Sequence, residues 1–348
     1  MKKFTVAAAA LLTTTALAHA GGLDRSGQSI SPLFEAGGET GSYAQLSFGR
    51  VDPTANNATV NDPLSTYSQA GFAFKTNLGS NLSAALVMDQ PFGAEVSYSN
   101  IITGAGASVT TTGFTALLRY KTDSGFSVHG GLRSLTGSGG VNVLTHEVSN
   151  ATGSGNGYVF GAAYEIPDIA MRVALTYNSS IKTSFTATER VGAVVTPNIA
   201  FDIEFPESVN LEFQTGIAAD TLLTGSVRYV GWNGFSFATA ANNYATFTED
   251  SYTYSLGVGR RLTDSFAMSA TLGYEAGGSR PSTTALAPTT GQTTLTLAGS
   301  YTRDNMTISG GLTLGRPGDQ DVLFPGIGSQ TFSGNTVVGA GVRLGFNF

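Results

Sequence analysis

The chain of 348 residues contains no cysteine. Disulfides and thiolate metal sites are therefore excluded, and an exported protein of this sequence cannot rely on covalent stapling. Charge is scarce too. Only 12% of residues are Asp, Glu, Lys or Arg, against about 25% in ordinary soluble domains. Long apolar runs are missing beyond the first twenty residues, and a membrane helix needs about 18. Basic residues are fewer than acidic ones, 18 against 24, which argues against nucleic acid as a partner. Glycine is abundant at 45 residues, but no three-residue period accompanies it, so collagen is excluded. Low charge, abundant Gly, Ser and Thr, and dispersed aromatics leave one class standing, the transmembrane β-barrel.

The N-terminus carries an export signal. Lys2 and Lys3 precede an apolar stretch from Phe4 to Ala18, and Ala18-His19-Ala20 is a small-x-small cleavage site. Residues 1–20 read as a cleaved secretory leader, not a membrane span. Without them the chain keeps 16 basic and 24 acidic residues, a net charge of −8.

From residue 41 onward the chain alternates. Phe114, Ala116, Leu118 and Tyr120 share one face, as do Phe266, Met268, Ala270, Leu272 and Tyr274. The opposite positions are Thr, Ser, Gly and Ala with an occasional Arg, so that face does not read as a second dry core. Tyr98, Tyr120, Tyr164, Tyr177, Tyr229, Tyr274 and Tyr301 fall near segment ends, the expected places for an interfacial girdle. Fourteen strands follow, near 41–52, 65–78, 81–98, 108–122, 124–137, 155–166, 169–186, 199–217, 219–237, 245–262, 265–277, 291–303, 305–315 and 335–348. Six connections are tight and rich in Asn, Asp, Ser or Gly. Seven are longer, among them 138–156, 187–198, 278–290 and 316–335. Short turns on one rim and long loops on the other are the habit of outer-membrane barrels, and an even count puts both termini on the periplasmic side. The last strand ends in Phe346 and Phe348 on one face, which resembles the signal read by the outer-membrane assembly machinery.

Two segments break the pattern. Residues 21–40 do not alternate and carry Leu23, Ile30, Leu33 and Phe34. They are too apolar for a solvated tail, and folding back into the lumen as a plug, or hatch, would bury them. In the third strand, Asp89-Gln90-Pro91-Phe92-Gly93 interrupts alternation. Pro91 has no N–H for a ladder bond and Gly93 weakens pairing, so a bulge, kink or gap is expected there. At membrane depth such a break must face water or a plug.

These features together resemble the FadL-type outer-membrane transporters of long-chain fatty acids and other hydrophobic compounds. The resemblance rests on the strand count, the N-terminal apolar segment and Pro91-Phe92-Gly93. It rests also on Phe205-Pro206-Glu207-Ser208-Val209-Asn210-Leu211 and on Leu222 to Trp232 with Gly225-Ser226-Val227. It implies a bacterial outer-membrane barrel that acts as a monomer without cofactor or metal. A hydrophobic ligand would be captured among the outer loops, in contact with lipopolysaccharide and membrane lipid. It would pass a pocket controlled by the hatch (Leu23, Ile30, Leu33, Phe34) and leave sideways through a gap at Asp89, Gln90, Pro91, Phe92 and Gly93. The chain departs from the family in its short hatch and compact barrel. Rival readings are a diffusion porin, an enzyme using His129 or His146 with a serine, and an adhesin or phage receptor. The porin reading is disfavoured by sparse charge, the enzyme by two lone histidines. Glu249-Asp250 and Asp319-Gln320-Asp321 read as solvated loop charges.

Overall fold

The computed structural model of the chain describes residues 23–100, 105–280, 282, 284–324 and 327–348. The leader expected at 1–20 lies outside these, as do Gly21 and Gly22.

The described chain closes into an antiparallel barrel of fourteen staves. Stave one is β1 (Tyr43–Thr54) and stave two is β2 (Tyr67–Asn77). Stave three is broken into β3 (Leu82–Asp89) and β4 (Gly93–Ser97). Staves four to six are β5 (Gly106–Lys121), β6 (Phe126–Val143) and β7 (His146–Ile166). Staves seven and eight are also in two pieces: β8 (Met171–Asn178) with β9 (Ile181–Val191), and β10 (Val194–Phe205) with β11 (Ser208–Ala218). Stave nine is β12 (Thr221–Val230). A small loop sheet follows, β13 (Ser236–Ala238) against β14 (Asn243–Thr246). Staves ten to thirteen are β15 (Ser251–Arg261), β16 (Phe266–Glu275), β17 (Thr290–Arg303) and β18 (Met306–Gly318). A loop hairpin of β19 (Gln320–Phe324) and β20 (Gly328–Phe332) precedes β21 (Thr336–Asn347), which pairs with both β18 and β1 and closes the wall.

All six short turns lie where the alternation places them and all fourteen staves are present, but stave nine ends at Val230, short of 237, and stave ten begins at Ser251, not 245, because the residues between form loop structure. The apolar face points outward: Leu46, Phe48, Leu118, Leu132, Leu256, Leu312 and Val342 are exposed. Closure pairs each stave with two neighbours over most of its length, so the wall's backbone is largely satisfied without water, as a lipid-facing wall requires; the pairing lapses beside the break in stave three. β12 has 10 residues and β15 has 11, within the 9–11 that a tilted strand needs to cross a bilayer.

Three further expectations are corrected. The segments 138–156 and 187–198 are not loops. β6 pairs with β7 up to Val143↔His146, and β9 pairs with β10 up to Val191↔Val194. These hairpins extend the wall, and their inward residues Val141, Val148, Ala151 and Ala187 are buried in an apolar cluster, so the ladder persists through stretches expected as loops. Tyr98 is no girdle residue: it is buried beneath the loops, edge-on to Phe324 at 5.2 Å. Its hydroxyl bonds the Ala285 carbonyl at 2.5 Å, and burial raises its pKa above the usual phenol value. The lumen face also holds a dry cluster in its upper half, with Phe185, Phe205, Trp232, Phe235 and Phe237.

Candidate functional site

The third stave breaks as its proline predicts. β3 pairs Asp89 with Gly113, and β4 pairs Gly93 with Thr110 on the same neighbour, β5. Four steps on one strand meet three on the other. One extra residue is therefore inserted, and the faces exchange. Leu86 points outward and is exposed, whereas Val96 of the same parity is buried. β2 pairs with β1 from Tyr67 but with β3 only from Phe72. The edge of β2 from Tyr67 to Gly71 is thus left open beside the break. The Gln90 side chain bridges it, accepting the Ala70 N–H at 2.9 Å.

The hatch meets this break directly. Asp24 forms an antiparallel bridge with Phe92. The Arg25 N–H donates to the Pro91 carbonyl at 2.7 Å, and the Gly93 N–H donates to the Leu23 carbonyl at 2.8 Å. Residues 23–25 thus supply ladder bonds that stave three cannot make for itself. Gly93 makes room for the hatch: a Cβ there would lie 2.6–2.8 Å from the Arg25 guanidinium and would displace it. That guanidinium sits 3.8 Å from the centre of the Tyr67 ring.

A polar latch holds the hatch across the lumen. Arg228 on β12 binds both carboxylate oxygens of Asp24, at 2.7 and 3.1 Å. It also donates to the Gly27 carbonyl, Asn210 Oδ1 and Gln28 Oε1 at 2.8–3.1 Å. Ser26 donates to Asp89 at 2.6 Å, and Asp89 pairs with buried Arg133. Below, a single 3-10 turn, Ser31–Phe34, buries Leu33 and Phe34. Ile30, Leu33 and Phe34 pack on Ala73, Ala85, Val87, Leu117 and Ala174, small or slender side chains that leave room for the turn. The Phe34 ring lies between the guanidinium groups of Arg119 and Arg172, each 4.6 Å from its centre. His129 meets it edge-on at 5.8 Å and bonds Thr176 at 3.1 Å. Beneath the turn the lumen is lined by charged and polar groups, among them buried Lys75, Arg119, Arg343 and Gln45.

Phe92 links two spaces. Its ring stacks on Phe205 at 5.0 Å and meets Trp232 edge-on at 5.8 Å. Trp232 in turn contacts Phe247 at 5.6 Å. Trp232 and Phe247 form one wall of a pocket of about 90 Å³ at the long-loop end, bounded by 248–251, Glu275, Gly278, Ser279 and 289–291. On the other side of the break, a cleft of about 90 Å³ opens in the wall. It runs from outward-facing Phe48, Ala70, Phe72 and Met88 to hatch residues Ser26, Ser29 and Pro32.

The expected site residues therefore fall into two groups. Leu23 joins Phe92 in the upper cluster, while Ile30, Leu33 and Phe34 form the lower one. Asp89 to Gly93 lie together at the break. Phe346 and Phe348 lie on the terminal strand, where Phe348 is exposed. Sequence reasoning missed Asp24, Arg25, Arg133 and Arg228, whose partners are distant in the chain. It also missed that Glu275 joins Glu249 and Asp250 around one pocket.

No family model and no curated protein matches the sequence. Solved structures do match in shape. A FadL homologue from Pseudomonas aeruginosa has a TM-score of 0.71 at 11% identity, over 88% of this chain and 90% of that one. The toluene transporter TodX from Pseudomonas putida has 0.64 at 12%, over 95% and 98%. The toluene transporter TbuX from Ralstonia pickettii has 0.64 at 13%, over 91% of each. At these identities the likeness speaks for architecture alone, and the fourteen-stave barrel of this chain is of the FadL type.

Proposed function

We propose that the chain sits in a bacterial outer membrane and passes hydrophobic molecules inward, with the long loops outside and the short turns in the periplasm. The observation that carries this reading is the continuous line from the loop pocket through Phe247, Trp232 and Phe92 to the wall break and its cleft. A ligand received at the loops passes along the aromatic cluster as its rings part, the hatch yields at Leu23–Arg25, and the ligand leaves sideways between staves two and three. A straight descent is disfavoured because it passes the belt of Lys75, Arg119 and Arg343, where an apolar body would strip water from charged groups. The lateral path ends in lipid, where transfer is downhill by about 25 cal/mol per Å² of apolar surface. The names of the similar structures, a FadL homologue and two toluene transporters, support the hydrophobic class.

Ala70 tests the exit. It is exposed on the lipid side of the cleft, and only its backbone bonds Gln90. Ala70→Trp is expected to lower uptake of an apolar compound at least fivefold while leaving the amount of heat-modifiable barrel unchanged. Unaltered uptake with the cleft so filled would overturn the lateral route.

A further inference from the structure

The break in stave three is a bounded window in the wall. The pair Phe72↔Met88 closes it below. Above, Leu64 bridges to Val96, and the Ser65 N–H donates to the Glu95 carbonyl at 3.4 Å. Residues 67–71 of β2 bound one side and Asp89 to Glu95 the other. Arg25 reaches into this window from the hatch. Its guanidinium lies 3.8 Å from the centre of the Tyr67 ring. A Cβ on Gly93 would stand 2.6, 2.7 and 2.8 Å from Nη1, Cζ and Nε. Such nearly equal distances put Gly93 over a face of the guanidinium plane, which leaves the N–H groups in that plane clear. Arg25 is 7% exposed. Yet its guanidinium donates no hydrogen bond and joins no ion pair among the described residues. None of its nitrogens is fully enclosed. Glu95 attracts it from a distance, but that carboxylate accepts the Ser108 hydroxyl at 2.9 Å instead. Arg119, Arg133 and Arg228, buried in the same lumen, each hold a carboxylate.

The depth of the window is set by its neighbour β5. The outward face of β5 exposes Tyr120, Leu118 and Phe114, and then continues with Thr112, Thr110 and Ser108. Gly93 pairs with Thr110, four residues above Phe114, or about 13 Å along the strand at about 3.3 Å per residue. The window therefore opens above the apolar band, where lipid headgroups lie. We propose that Arg25 is an anion site in the wall, which takes the carboxylate or phosphate headgroup of an amphiphile whose tail lies along the cleft below, past Ala70, Phe72 and Met88. A guanidinium offers a planar fork of N–H donors that fits either oxyanion in bidentate fashion. A buried cation without a partner is costly, and such a headgroup offsets that cost. The inference adds a binding site to the transport reading above and rests only on its membrane placement.

Ser68, exposed on the lipid side of β2, is changed to cysteine, unique in this chain, and labelled with bimane. The full mature chain in phosphatidylcholine nanodiscs at pH 9 is titrated with 5-doxylstearate and with its uncharged methyl ester. A nitroxide quenches bimane on contact. The acid is expected to reach half-quenching at a mole fraction at least fivefold below the ester. In Arg25→Gln the gap should fall below twofold, through a loss for the acid. Glu95→Gln, which leaves the hatch and Arg25 in place, should widen the gap at least twofold. The different depths of acid and ester in the bilayer are common to all variants and cancel. Equal potency of acid and ester in the labelled parent, an unchanged gap in folded Arg25→Gln, or an unchanged gap in Glu95→Gln would each overturn the proposal. Phosphatidic acid and phosphatidylcholine with the same nitroxide chain are compared in the same way. A preference for phosphatidic acid assigns the site to a resident lipid, and one confined to the free acid assigns it to a passing amphiphile. Uptake of stearate, followed in parallel, separates the site from the transport reading. Selective quenching without uptake sinks transport and leaves the site standing, and uptake without selectivity does the reverse.

Discussion

At the scale of the residue, Arg228 ties the N-terminal segment to the wall. It joins Asp24, Gly27 and Gln28 of the hatch to Ser208 and Asn210 of the wall. Both Arg228 and Asp24 are buried. Removing one partner leaves the other as an uncompensated charge, at a cost of about 3–5 kcal/mol. Burying Leu33 or Ile30 contributes about 1.5–3 kcal/mol each, so the latch and the apolar seat are comparable. Arg228→Ala is therefore expected to free residues 23–29 while the turn at 31–34 holds on. Amide exchange should quicken at least tenfold over the first segment and little over the barrel strands. Uniform protection in both would show that the latch carries no weight. Asp24 and Arg228 were illegible in the sequence because 204 positions separate them, and an aspartate near an exported N-terminus looks like any solvated charge. Pro91 was legible because its consequence is local: a missing N–H needs no partner to be noticed.

At the scale of the element, the break in stave three is a matter of register. One residue too many lies between Asp89 and Gly93 relative to β5. Deleting Gln90 should remove the inserted residue and carry β3 into β4 in one register, with only the N–H that Pro91 lacks missing from the ladder. The expected result is a folded, heat-modifiable barrel with uptake of apolar compounds reduced at least tenfold. Full uptake from that variant would remove the break from the mechanism. Staves seven and eight, each drawn as one strand from the alternation, illustrate the opposite case. Pro206 interrupts stave eight as Pro91 interrupts stave three, yet Asn178↔Ser208 and Ile181↔Phe205 keep one register across the gap. No residue is inserted, the faces do not exchange, and the sequence reads through. The hairpin extensions escaped notice for a related reason. Their inward Val141, Val148 and Ala151 stand among Ser138, Gly139, Gly140, Asn150 and Gly153, and that dilution weakens the alternation that distinguishes a strand from a loop.

At the scale of the whole molecule, the sparse charge and alternating faces announced the barrel, and its outer surface follows from them. The filling of the lumen does not. Phe92, Phe205 and Trp232 converge from staves three and eight and the loop after stave nine, and nothing in their separate segments says that they meet. That filling also decides between a transporter and an open porin. With the hatch seated and the upper cluster packed, no polar bore is expected for sugars. Liposomes carrying the protein should swell in arabinose no faster than protein-free ones, and swelling at a porin's rate would sink the reading.

The closure of the barrel has one more consequence, and it concerns time. The Thr40 N–H and hydroxyl both donate to the Phe348 carbonyl at 2.9 Å, joining positions 308 apart in sequence, and the Phe348 N–H returns a bond to Ser42. Gly38 lies so close that a Cβ there would sit 2.5 Å from the Phe348 backbone. The root of the N-terminal segment is thus tied to β21, the strand that closes the barrel on β1. That tie exists only once β21 meets β1, and only then do β12 and stave three, which hold the rest of the segment, share one closed wall with it. Seating of the segment is therefore expected to follow closure of the barrel and not to precede it.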